Sequence, residues 1–299
     1  MTNEPLDDLA GQRIPIGALT INESLWAALR CLQAVWRPSA VVALVLLGPY
    51  QLLASFLVSR QMPASSDGPV TGRFADPFVD RTAEQMATGM RLMGLLVIAG
   101  LVLSLMASAT SVEMIRRVDR GGAADARASL RLGFEHLGPA LGATVLMVVL
   151  AVSTVFGTAV LISPVAMVNP GVAAIMTTLA ILGIGFAVAV LGQVLVPVVV
   201  FDGTGPLGTL RRGLHVLRRR TTRAAMLTVA AAVAILTSGL LVSVVAALVA
   251  PSGGWLVEAL VAVALSMVAV PITAVTGTLM HVDAASRLQG MDPRRSTAE

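Results

Sequence analysis

From His136 to Phe201 the chain runs for 66 residues without one Asp, Glu, Lys or Arg. A water-facing domain cannot be built from such a run, because about a quarter of a soluble chain is charged and its surface needs that charge. Four shorter stretches are equally bare: Pro38 to Ser59, Leu92 to Val112, Ala224 to Val257 and Ala259 to Val282. About 20 mostly apolar residues cross roughly 30 Å of hydrocarbon as a helix. In lipid the helix is favoured because it satisfies its backbone polar groups internally. The longest run is too long for one crossing and is punctuated by Ser163-Pro164 and Asn169-Pro170-Gly171, which are turn and helix-start signals. The expectation is an all-α polytopic membrane protein with six transmembrane helices, at about 39–58, 92–114, 140–162, 172–199, 225–249 and 256–280.

Composition narrows the class further. Only 13% of the 299 residues are charged and 56% are hydrophobic, and a single cysteine rules out a disulfide-stapled scaffold. All basic residues are arginine, and a net charge of +4 is too modest for a nucleic-acid binder. Ala, Val, Leu and Arg in place of Ile, Lys, Asn and Tyr suggest a GC-rich bacterial coding bias. Arginines near span ends are retained in the cytoplasm. They number three before span one, five after span two, six after span four and three after span six, against four, none and none in the other connections. This split of 17 to 4 predicts a bacterial inner (cytoplasmic) membrane protein with both termini in the cytoplasm. The first residues lack the apolar core of a signal peptide, so no cleavage is expected. The division is then a cytoplasmic tail at 1–19, one six-helix membrane domain at 20–282 and a second cytoplasmic tail at 283–299.

Each odd-numbered span follows a short segment with helical periodicity. Thr20-Ile21-Asn22-Glu23 resembles a capping box, followed by Leu25, Leu29, Leu32 and Trp36 on one face. Leu130, Phe134 and Leu137 line up before span three, and Leu207, Leu210, Leu214 and Leu217 before span five, with Pro206 at a first helical position. The predicted unit is an interfacial amphipathic helix plus a helical hairpin, occurring three times. Such helices turn the chain back into the membrane, and their arginines draw anionic headgroups.

Three stretches carry a family resemblance. They are Ile14 to Leu25, Val196 to Leu214 with its Asp202-Gly203 and Arg211-Arg212, and Met280 to Gly290 with Asp283, Arg287 and Gly290. Together they resemble bacterial membrane proteins related to the membrane domain of glycerophosphoryl diester phosphodiesterase. The resemblance implies the membrane architecture alone. The phosphodiesterase chemistry of that family belongs to a separate barrel of about 250 residues, for which six spans leave no room here.

Candidate chemistry is sparse. Asp202, at the end of span four, is expected to clamp Arg211 or Arg212, with Gly203 ending the span and Asp202 or Thr204 capping the next helix. The same trio is the candidate ligand contact. The loop lacks the lysine and length of a phosphate-binding loop. His136, His215 and His281 map to one membrane boundary, with Glu113, Asp202 and Asp283 at similar depth, but no histidine pair lies four apart on a helix, so surface histidines and no metal are expected. Cys31 is expected as a half-buried thiol. Gln51, Gln193, Thr273 and Thr276 are the thin polar inventory of the spans, and Pro49, Pro197 and Pro271 are read as kinks in place of a broken-helix substrate site. Gly183, Gly185 and Gly192 would permit close helix packing. The outer loop, 60–91, balances Asp67, Asp76, Asp80 and Glu84 against four arginines, as a solvated linker does.

The sequence therefore predicts a membrane scaffold or accessory subunit, with neither enzymatic activity nor a cofactor. Its partners would be anionic headgroups at the cytoplasmic face and another membrane protein, with no nucleic acid. The alternative is a small-molecule or lipid transporter with a cavity between the helical hairpins, which would present a wet midplane at Gln51 or Gln193.

Overall fold

The computed structural model describes residues 21–61, 83–249 and 254–288. The tail at 1–19, residues 289–299 of the 283–299 tail, the capping box at Thr20 and most of the outer loop lie outside the described residues, as do the side chains of Leu25 and Leu217, while residues 283–288 continue α7. The described chain is helical without strands: α1 (Ile21–Gln61), α2 (Ala83–Asp119), α3 (Ala126–Glu135), α4 (Leu137–Val168), α5 (Pro170–Asp202), α6 (Pro206–Val249) and α7 (Trp255–Leu288). All but α3 are long and apolar enough to cross a membrane, which gives the six spans expected.

Local chemistry sets the helix ends. Asp125 caps α3, its Oδ1 accepting from Arg127 N at 2.9 Å and Ala128 N at 3.4 Å. Asn169 caps α5 by accepting from Val172 N at 3.1 Å, and Pro170 fills the first helical position, where a missing N–H costs nothing. Asn169 alone separates α4 from α5, so the turn is tighter than the predicted 163–171 connection. Pro164 does not end α4. It removes the N–H that Val160 O would accept, and Ser163 Oγ donates to that carbonyl instead, at 2.9 Å.

Helices in lipid gain little from mutual hydrophobicity and associate through close packing of small residues. The core follows that rule: α1, α2, α5 and α7 meet around Val35, Ala43, Ala107, Ala109, Val112, Ile115, Val200 and Ala274. Buried side chains concentrate toward the arginine-bearing end. Between residues 148 and 161 of α4, and between 174 and 189 of α5, none is buried. The far half of this hairpin therefore presents bare apolar surface, ending at Met167, 88% exposed.

Two expectations need correction. The amphipathic segments before spans one and five are not separate helices: α1 and α6 continue unbroken through them, and only α3 stands alone. Within these segments the residues turned into the bundle are mostly small. In the first part of α1 the buried residues are Ala27, Cys31 and Val35, with Leu32 partly buried and Leu29 pointing out; in α3 they are Ser129 and Gly133, with Phe134 out; at the start of α6 they are Thr209 and Gly213, with Leu210 partly buried and Leu207 and Leu214 out. Small residues let the backbone approach its neighbour, and Leu29, Phe134, Leu207 and Leu214 are left for the surroundings. Gly183 and Gly185 face open space and Gly192 makes ordinary contact, so the predicted glycines do not make the tight crossings; Gly100, Gly133, Gly142, Gly213 and Gly277 do.

Candidate functional site

Two groups of ion-paired side chains lie at the arginine-bearing ends of α2, α5, α6 and α7. Glu113, one turn and a half before the end of α2, is 2% exposed. Arg116, three residues on, donates through Nη2 to Glu113 Oε1 at 3.1 Å, and its Nε lies 2.8 Å from Oε2 as a close ion contact without hydrogen-bond alignment. Arg117 Nε stands 3.6 Å from the same carboxylate. Arg116 Nη1 also donates to Val200 O at 3.1 Å. Val200 belongs to the last turn of α5, whose carbonyls lack helical partners and carry the negative end of the helix dipole. Arg116 thus joins α2 to α5 through one guanidinium.

A second group closes the end of α5. Gly203 adopts φ 60° and its N–H reaches Val199 O at 3.0 Å, as the sequence implied for a helix stop. Asp202 sits beside the same negative dipole end, where a carboxylate is unfavourable unless a cation answers it. Arg212 of α6 does so, with Nη1 2.8 Å from Asp202 Oδ2, and Arg211 does not. His281 of α7 approaches Asp202 Oδ1 at 3.6 Å, and its ring lies 5.4 Å from that of Phe201. The hydroxyls of Thr204 and Thr209 meet at 3.0 Å while Thr209 Oγ1 donates to Thr204 O at 3.1 Å, so Thr204 is the donor between them. Thr204 braces the start of α6 through Thr209.

The histidines do not converge. His136 sits at the joint between α3 and α4, His215 is exposed on α6, and His281 is buried, against the expectation of a surface position, because α7 packs its end onto Phe201. Among the described residues no group of three His, Cys, Asp or Glu is placed to hold a metal. Cys31 is buried, beyond the half burial expected, since its segment of α1 packs into the bundle.

Gln193 is half-buried. Thr228 Oγ1 donates to its Oε1 at 3.4 Å, and the flanking Val190, Leu191, Val194 and Leu195 are buried. Thr273 and Thr276 return their hydroxyls to carbonyls of their own helix. No helix unwinds at Pro49, Pro197 or Pro271. The buried ion pair of Glu113 was the feature that sequence reasoning missed. Its signal was the i,i+3 and i,i+4 spacing to Arg116 and Arg117. No protein-family model, curated protein or solved structure matches the chain.

Proposed function

We propose that this chain is a non-catalytic scaffold or accessory subunit of a bacterial cytoplasmic membrane, threaded six times with both termini cytoplasmic. The observation that carries the reading is the packing at Gln193: this half-buried side chain, one of the two expected to line a substrate path, takes a hydrogen bond from Thr228 and is flanked by buried valines and leucines. The arginine-bearing ends are tied by two ion-paired groups into a rigid base, while α4, α5 and α6 leave long apolar faces open to lipid or to another membrane protein. Those features suit a protein whose task is to hold and present helices. The architecture is also what the resemblance to the phosphodiesterase membrane domain implies.

Transport is the second reading, favoured by one observation: the far half of the α4–α5 hairpin buries no side chain between residues 148 and 161 or between 174 and 189, so lipid has access there. Purification in mild detergent, with mass spectrometry of co-purifying protein and flux measurements in proteoliposomes, tests the pair. A membrane-protein partner in stoichiometric yield with no flux supports the scaffold, and substrate flux by the isolated chain overturns it.

A further inference from the structure

The start of α6 repeats α3. Ser129-Leu130-Arg131-Leu132-Gly133-Phe134 aligns with Thr209-Leu210-Arg211-Arg212-Gly213-Leu214, and each segment follows a left-handed glycine that ends the preceding span, Gly121 at φ 78° and Gly203 at φ 60°. The structure uses the two segments alike. Ser129 and Thr209 are fully buried. Gly133 lies against α2, where an added Cβ would stand 2.6 Å from Thr110 Oγ1, and Gly213 lies against α5, where it would stand 2.9 Å from Leu191 Cδ1. Each helix therefore folds back onto the span that precedes it.

The depth of these contacts matters. Thr110 lies nine residues before the end of α2 and Leu191 eleven before the end of α5, on the order of 13 to 17 Å along the helices. Both lie inside charge-free stretches. Phe134, 62% exposed, and Leu214, 42% exposed, are consequently held level with the apolar part of a neighbouring span. Three residues before each stands an exposed arginine, Arg131 or Arg211, with no acidic partner among the described residues. An apolar side chain at hydrocarbon depth beside an unanswered guanidinium, whose long stem lets it reach outward, is complementary to one molecule with a tail and a negative head.

We infer that Arg131 with Phe134, and Arg211 with Leu214, form two equivalent seats for an anionic phospholipid, the guanidinium holding the phosphodiester and the apolar side chain meeting the upper acyl chain. This deepens the scaffold reading, on which it rests for the leaflet concerned, by naming the lipid class that the base of the bundle grips.

The test uses the full chain purified in micelles doped with equal phosphatidylglycerol and phosphatidylcholine, with retained lipid counted by native mass spectrometry. The wild type retains phosphatidylglycerol in preference. Arg131→Gln and Arg211→Gln each remove half of it, the double variant removes the preference, and Phe134→Ser with Leu214→Ser lowers retention with the charge intact. Arg60→Gln, an exposed arginine at the far end of α1, leaves retention unchanged. A preference that survives in the double variant, or that falls equally in Arg60→Gln, overturns the proposal; so does displacement by inorganic phosphate, which would mark a free-anion site. Retention in micelles depends neither on orientation nor on a protein partner, so its failure is separate from failure of the scaffold reading.

Discussion

The backbone carbonyl of Gln193 rests on Gly277. Pro197 has no N–H to give it, so this carbonyl loses its usual helical partner and turns to α7 at the one position without a side chain, within reach of a Cα–H contact. A Cβ at Gly277 would run into the Gln193 oxygen, with Pro197 Cγ at 3.1 Å behind it, and none of these backbone-bound atoms can swing away. Gly277→Ala is expected to cost about 1–3 kcal/mol through overpacking, read as a lower thermal midpoint in detergent by circular dichroism. Gly239→Ala, facing only the movable Leu265 side chain at 3.3 Å, loses less, and Gly183→Ala, facing open space, loses nothing. Equal midpoints for the three variants would show that the α5–α7 crossing does not depend on Gly277.

Arg116 answers both Glu113 and the end of α5, so its removal leaves a carboxylate in a nearly dry site. Breaking a buried pair from one side costs roughly 3–5 kcal/mol, and Arg117 at 3.6 Å should hold Arg116→Met near the lower figure. Glu113→Gln combined with Arg116→Met is expected to recover much of that loss, because no uncompensated charge remains. Thermal unfolding of the two single variants and the double variant forms the cycle. A double variant as unstable as the sum of the singles would mean that the two residues are not coupled.

Asp202 and Arg212 meet at 2.8 Å, but Arg212 is more than half exposed. Water and salt screen such a pair, so Arg212→Gln is expected to cost about 0–1 kcal/mol and less at high ionic strength. Arg211→Gln, which removes a cation that does not touch Asp202, should leave the midpoint unchanged. Sequence alone left the two arginines equivalent. A larger loss from Arg211→Gln than from Arg212→Gln would reverse the assignment.

What was legible in the sequence was whatever depends on a residue and its near neighbours. The charge-free stretches mark the spans, Asn169-Pro170 marks the start of α5, and Gly203 marks its end. The leucine stripes of the short segments were legible, but not the small residues by which those segments pack. Close approach in lipid favours small residues, and Ala27, Cys31, Ser129, Gly133, Thr209 and Gly213 turn inward. The meetings of Gln193 with Gly277 and of Arg116 with Val200 join residues more than eighty positions apart, and no local pattern announces them.

The threading itself can be tested with single thiols, because the only native cysteine is buried and buried thiols are inert. Ala123→Cys lies exposed between α2 and α3 among the arginines, and Gly254→Cys lies exposed just before α7 at the opposite end. With arginines retained in the cytoplasm, a membrane-impermeant maleimide should label Gly254→Cys in intact cells and Ala123→Cys only after permeabilisation. The same reagent should spare the parent chain in both conditions. Labelling in the reverse order would turn the protein over in the membrane, moving both lipid seats to the outer leaflet. Labelling of both positions from one side would break the six-span count, since α4, α5 and α6 put an odd number of crossings between residue 123 and residue 254.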